Sequence, residues 1–460
     1  MFVSNSQTKT QTIDMVNGPL LKNICIFSVP LMLTNLVQMM FNAADAVVMG
    51  RFAGQQALAA VGATSSLCFL LISLFNGLSV GSNVVIARYL GANDLGKVEK
   101  SVHTSIATAM LSGVFLMIVG FFASRPLLQM MSTPTDIIDL SELYMRIYFV
   151  GTFFTLIYNF GAAIFRSVGD TKRPLYFLLI SGLIKVVLSL LFVIVFQWGV
   201  AGVALSTAIG QAIAAAMVCL TLIKEKGPHH LDFKKLSIDV PMALDIIKIG
   251  VPAGIQGMVF ALSNVVIQSS INSFNSSVIV AGNSAANNVE NFVYIGMSAF
   301  TQACITFTSQ NIGANKLKRV GEIFKQSMVL TSLSAAAIGF LAWFFGETFL
   351  GFYTSDAAVV EAGMVRLLWV TMPLWLNGVL DVFVCSMRGM GHSTGPTVLM
   401  ILGICGVRLT WIWTMFAAYN TLEVIYMCFP ISWIVTSIIL GVYWYKCYRK
   451  LMKKADAQMA

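Results

Sequence analysis

The sequence predicts an all-α membrane protein: twelve transmembrane helices in two six-helix lobes related by a parallel internal repeat. Three observations carry this expectation: an apolar composition, twelve apolar runs of spanning length, and motifs that recur at one fixed offset. Of 460 residues, 57% are hydrophobic and 11% are charged. A soluble globular chain carries about 25% charged residues. With a mean hydropathy of +0.80, a water-soluble globule is excluded. A disordered chain needs the opposite balance and is excluded too. The natural solvent for such a chain is lipid.

A helix needs about 20 apolar residues to cross a bilayer. Runs of that length are centred near residues 36, 72, 113, 153, 186 and 212, and again near 258, 295, 336, 374, 407 and 435. Barrel strands would alternate apolar and polar residues instead. The polar stretch before the first run lacks the charged, apolar and cleavage regions of a secretory signal. The first span is therefore expected to be retained.

Placing the positive charges gives the orientation. Of the 29 Lys and Arg, 23 fall in the two termini and in alternate loops on one side, against Arg51 and Arg125 on the other. Both termini are thus expected in the cytoplasm, and the net charge of +9 is a topology signal rather than a nucleic-acid footprint. The eight cysteines sit in or beside apolar runs without a CxxC pair, and read as small buried hydrophobes.

One self-match stands out, at the offset that carries Pro30 onto Pro252. It superposes Val29-Pro30 on Val251-Pro252, Gly91-Ala92-Asn93 on Gly313-Ala314-Asn315, and Arg166, Gly169 and Pro174 on Arg388, Gly391 and Pro396. Six spans per repeat is an even number, so both halves enter the membrane in the same direction. The expected organisation is a cytoplasmic tail 1–19, an N-terminal lobe 20–225, a polar linker 226–241, a C-terminal lobe 242–447 and a basic tail 448–460. His229 and His230 of the linker read as solvated residues rather than metal ligands, and no metal site is expected.

Three acids fall inside spans: Asp45, Glu290 and Asp381. A charge at the bilayer centre costs about 2.5–3.5 kcal/mol on insertion scales, so each needs a reason. One reason is an ion pair with Lys185 or Arg408. The neighbours suggest another. Asn35, Gln38, Asn42 and Asp45 share one face of the first span. Asn283, Asn287, Glu290, Asn291 and Tyr294 share one face of the eighth, and Asn377 lies a turn before Asp381. Polar stripes must face protein or a wet cavity, and three of them, spread over both halves, predict a central one. Lys185, Gln256 and Arg408 join the stripes as candidate cavity residues. Pro30, Pro252 and Pro373 are candidate helix bends. A carboxylate in such a cavity can take up and release a proton. Nearby Asn and Gln oxygens can instead complete the shell of a hard cation. Either event can bias a two-state equilibrium.

Gly91 to Lys97 matches the GxxxxGK spacing of a phosphate loop, but Val98 follows where Ser or Thr is required. It is expected in a loop of about ten residues. No nucleotide site is predicted, and no HExxH or GxSxG pattern suggests an enzyme.

These residues, with Asp45-Ala-Val-Val-Met-Gly-Arg51-Phe52, Arg166-Ser-Val-Gly-Asp-Thr-Lys-Arg-Pro174, Gly199-Val-Ala-Gly-Val-Ala and Arg388-Gly-Met-Gly, carry a family resemblance. Over essentially all of residues 20–447 the chain resembles the multidrug and toxic compound extrusion (MATE) transporters, most closely bacterial ones. The resemblance implies export of cationic or amphipathic drugs in exchange for H+ or Na+ by alternating access. It puts the first-helix acid on Asp45 and the first-helix bend on Pro30. The sodium-coupled branch has a glutamate in the seventh helix, where this chain, from Gly250 to Ile271, has Gln256, Asn264 and Gln268 but no acid. The tenth-helix aspartate of that branch falls on Asn377, so the expectation leans to H+. The other expectations are no cofactor, small-molecule drugs and membrane lipid as partners, no nucleic acid or nucleotide, and a monomer in the bacterial inner membrane. The alternative is a flippase for a lipid-linked precursor, from the same superfamily.

Overall fold

The computed structural model describes residues 13–131 and 133–459, with side chains to residue 453. The polar N-terminal tail is therefore described from Ile13, and the basic C-terminal tail to Met459, with side chains to Lys453. Among the described residues, twelve long helices make up the framework. The first six are α1 (Leu20–Ala53), α2 (Gln55–Gly91), α3 (Leu95–Met130), α4 (Ile138–Ser167), α5 (Lys172–Val195) and α6 (Gly199–Lys224). The second six are α7 (Val240–Asn272), α8 (Ser277–Gly313), α9 (Leu317–Phe344), α10 (Ala357–Gly389), α11 (Thr394–Tyr419) and α12 (Leu422–Met459). Eleven of these are long and apolar enough to cross a membrane. The twelfth, α8, has 37 residues and bears the asparagine stripe. Large side chains stand on the outer surface, Phe122 and Trp413 each 72% exposed, as lipid allows and water would penalise. The protein is an integral membrane protein.

Many of these helices outrun the bilayer. α2, at 37 residues, spans about 55 Å at about 1.5 Å per residue. This corrects the expected ten-residue loop after it: only Ala92–Asp94 separates α2 from α3. The GxxxxGK segment is a helix junction, with Asn93 in the left-handed region at φ 56° and the Asp94 carboxylate accepting from the Lys97 amide as N-cap. The internal repeat reappears in the backbone. Asn315 has φ 55°, matching Asn93, and Gly169 and Gly391 have φ 88° and 91°.

Each half has its own apolar core. One is built around Ile106, Phe160 and Phe165, the other around Leu367, Leu380 and Tyr426. The lobes join along two seams. In the α2–α7 seam, Gly77 and Gly254 bring the backbones so close that a Cβ on Gly77 would collide with the Gly254 nitrogen. In the α1–α8 seam, Ser28 donates to the Ala299 carbonyl at 3.3 Å. The lobes also meet at the Lys- and Arg-rich helix ends. There Gln310 of α8 donates to the Ser167 carbonyl of α4 at 2.7 Å. The segment Ile13–Gly18 lies across this junction: Met15 is buried, Asn311 donates to its carbonyl at 3.0 Å, and Arg319 donates to that of Gly18 at 2.8 Å.

The linker is not the freely solvated stretch the sequence suggested. Its backbone is tied to α3, where the Asp232 amide donates to His103 Nε2 and the Asp239 amide to Thr104 Oγ1, both at 3.1 Å. His229 Nε2 sits 3.4 Å from Glu225, and His230 Nδ1 is 2.9 Å from the Glu225 carbonyl. Both histidines fold onto the chain just before them. Burial holds the His229 imidazole below its ordinary pKa.

Candidate functional site

In the N-terminal lobe, the first-span acid meets a base. Lys185 of α5 places Nζ 2.6 Å from Asp45 Oδ2 of α1, with both side chains largely buried. Gly182, one turn before Lys185, lets the Phe41 ring lie directly on α5 and draws the helices together. The other Asp45 oxygen, Oδ1, is buried without a hydrogen bond. Of the remaining α1 stripe, Asn35 donates to Ser298 of α8 at 3.2 Å, while Gln38 and Asn42 are exposed.

The C-terminal lobe holds a cavity of about 690 Å3. Its walls come from α7, α8, α10, α11 and α12, with Phe69 of α2 from the other half. The whole α8 stripe, Asn283, Asn287, Glu290, Asn291 and Tyr294, faces it, as do Asn377 and Arg408. Asn35, Gln38, Asn42, Lys185 and Gln256 do not line it. Gln256 is instead buried beneath Arg388, whose Nη2 donates to Gln256 Oε1 at 2.6 Å.

Glu290 is held by Arg366, not by either of the expected bases, Lys185 and Arg408. Arg366 Nη2 and Nε lie 2.7 and 3.2 Å from Glu290 Oε2. Its Nη1 donates to Asn283 Oδ1 at 2.5 Å and its Nη2 to Asn287 Oδ1 at 3.0 Å. Tyr426 donates to the same Asn283 oxygen at 2.9 Å. The asparagine spacing of α8 is thus a fork for a guanidinium, a pattern that could have signalled a missing cation. Arg408 donates from Nε to Ser432 at 3.2 Å, with its guanidinium 4.2 Å from the Phe429 ring centroid. Asp381 lies outside the lining, and Asn377 Nδ2 approaches it at 3.4 Å.

The helices carrying Asp45, Lys185, Arg366 and Arg408 all depart from regular α-helix nearby. π-helical turns occupy Met49–Ala53, Leu191–Val195, Leu367–Thr371, Leu402–Gly406 and Ile412–Phe416. Such turns are rare and recur at functional sites. A 3-10 turn containing Pro373 follows the third of them, whereas Pro30 and Pro252 lie inside continuous helix.

The MatE family model matches residues 30–191 and again 252–414, two matches that begin on the repeat pair Pro30 and Pro252. The chain belongs to the MatE family. Among the MatE relatives, the probable multidrug resistance protein YpnP of Bacillus subtilis is 28% identical, over 86% of this chain and 88% of its own. YoeA, a second probable multidrug resistance protein of the same organism, is also 28% identical and covers 93% and 94%. A crystal structure of a MATE protein in the bent conformation superposes with a TM-score of 0.90 at 20% identity, covering 97% of this chain and 99% of that one. That likeness establishes the MatE fold.

Proposed function

We propose that the protein is a secondary multidrug exporter, moving amphipathic small molecules out of a bacterial cell in exchange for an ion by alternating access. The observation that carries this reading is the Asp45–Lys185 pair, buried between α1 and α5 with one carboxylate oxygen unbonded. Protonating Asp45, or presenting it with a metal cation, removes its need for Lys185 and loosens α1 from α5. That gives one ion two conformations to choose between. The preferred ion is H+, since no acid from the Gly250 to Ile271 stretch of α7 stands ready to complete a cation shell. The names of YpnP and YoeA support drug export. With the charge-rich ends in the cytoplasm of the inner membrane, the lobes would be joined inside and the transport path would open outward. The chain acts alone, without nucleotide.

The test is transport in everted vesicles under separately imposed proton and sodium gradients. Gradient-driven efflux of a fluorescent drug is expected in the wild type and is expected to be lost in Asp45→Asn. Wild-type efflux by D45N would sink the coupling role.

A further inference from the structure

We propose that the C-terminal cavity binds the anionic headgroup, carboxylate or phosphate, of an amphipathic molecule, with Arg408 supplying the charge. This deepens the export reading by naming a ligand class, and it rests on that reading only for transport, not for binding.

The charge of the cavity wall is unbalanced. Among the described residues, the lining carries Glu290, Arg366 and Arg408 as its full charges. Glu290 is already engaged by Arg366 through two nitrogens. Among the described residues no carboxylate pairs with Arg408, which is 7% exposed and anchored through Nε and the Phe429 face. A buried cation without a counter-charge is costly. An anion entering the cavity removes that cost, and a cation would add to it.

The internal repeat points independently to the same unbalanced base. In the N-terminal lobe, Lys185 on the fifth helix is answered by Asp45 on the first. The offset that carries Pro30 onto Pro252 carries Lys185 onto Val407, next to Arg408, so the second lobe keeps a base in this region. The same offset carries Asp45 onto Ile267, a cavity-lining residue. The C-terminal half therefore has the base without the acid, and the vacancy in charge opens onto the cavity.

The remaining wall suits an amphipath. Its volume falls within the range of about 300–1,000 Å3 typical of ligand sites. Phe260, Leu374 and Ile404 offer apolar contact, while Asn264, Asn288 and Asn291 offer amide donors for headgroup oxygens. Guanidinium donors suit carboxylate and phosphate geometry better than an ammonium does.

The test uses two dansyl probes with opposite headgroups, dansylaminoundecanoate and dansylcadaverine, titrated by fluorescence into the purified protein in phosphatidylcholine nanodiscs. The carboxylate probe is expected to bind saturably and the amine probe not to compete. Arg408→Gln should weaken the carboxylate probe by about 10-fold or more, the loss of a charge-assisted hydrogen bond, and Arg408→Lys should weaken it less. Ile267→Asp restores the missing acid while leaving Arg408 in place, and should weaken binding by about 10-fold or more, as R408Q does. If R408Q and I267D, both monodisperse, bind the carboxylate probe as the wild type does, or if the amine probe displaces it, the proposal is overturned. Adding phosphatidylglycerol to the nanodiscs separates the sources. Displacement of the probe makes a membrane lipid the occupant, and no displacement makes it a soluble compound; both keep the anion site. Export of a cationic drug with no carboxylate binding would refute the anion site and leave the export reading standing. Carboxylate binding without any export would do the reverse.

Discussion

Removing the carboxylate of Asp45 tests the buried pair directly. With 2.6 Å between Lys185 Nζ and Asp45 Oδ2, two unit charges attract by roughly 6 kcal/mol at an effective dielectric of about 20. Desolvation of both groups takes back most of that, so the pair as a whole adds little net stability. Breaking it is different: one charge left alone in a buried site costs about 3–5 kcal/mol. Asp45→Asn is therefore expected to lower the unfolding free energy by about 3–5 kcal/mol, and Lys185→Met by a similar amount. The double variant, with neither charge, should return to within about 1.5 kcal/mol of the wild type, because removing both partners leaves no uncompensated buried charge. The assay is unfolding of the four proteins in mixed micelles against the mole fraction of dodecyl sulfate, followed by tryptophan fluorescence. Strict additivity of the two single losses would refute the reasoning, as would a D45N protein as stable as the wild type.

Two further outcomes follow from other parts of the molecule. A Cβ on Gly254 would lie 2.5 Å from the Leu74 Cα, so Gly254→Val should push α2 off α7 at a cost of about 1–3 kcal/mol. The yield of a disulfide between S73C and G257C, whose Cβ atoms would stand 3.5 Å apart, should then fall, and an unchanged yield would count against a tight seam. At the N-terminus, hydrogen bonds from the Asn17 and Val16 amides hold the Asp14 carboxyl below its ordinary value of 3.8. The folded form thus binds its proton less readily than the unfolded one, and the contribution is present above that value and fades as pH falls through the folded pKa. Exchange protection of the Val16 and Asn17 amides should be flat from pH 8 to about pH 5 and drop only in stronger acid; loss already near pH 6 would contradict it.

Helix number and lobe doubling were legible because both rest on local signals: apolar runs of fixed length, and turn residues such as Asn93 and Gly169 whose backbone demands return at Asn315 and Gly391. The α8 stripe was legible for the same reason, since its residues share one regular helix. Pairings across helices were not. Arg366 meets Glu290 from far along the chain, and nothing in the local pattern of α10 says which way it points. The π turn at Leu367–Thr371 adds to the difficulty, because it shifts the phase of the helix just beyond Arg366. The same holds for α11, where π turns flank Arg408 on both sides and remove the regular helical period. Which helices enclose the C-terminal cavity was not legible either, because stripes report that a face is polar without reporting which neighbour covers it.

The doubled framework has a consequence for how such a chain differs from a dimer of halves. Two copies of the N-terminal half would carry two Asp45–Lys185 pairs and no arginine-lined cavity. Two copies of the C-terminal half would carry two cavities and no such pair, since Ile267 and Val407 occupy the corresponding places. Joining the halves in one polypeptide frees each to change its charges while the turns and seams stay matched. The residues that keep the two-fold plan, such as Gly169 with Gly391, are structural, and the charged groups inside the membrane are the ones that have left it. Division of labour between the halves is thus written in the departures from symmetry.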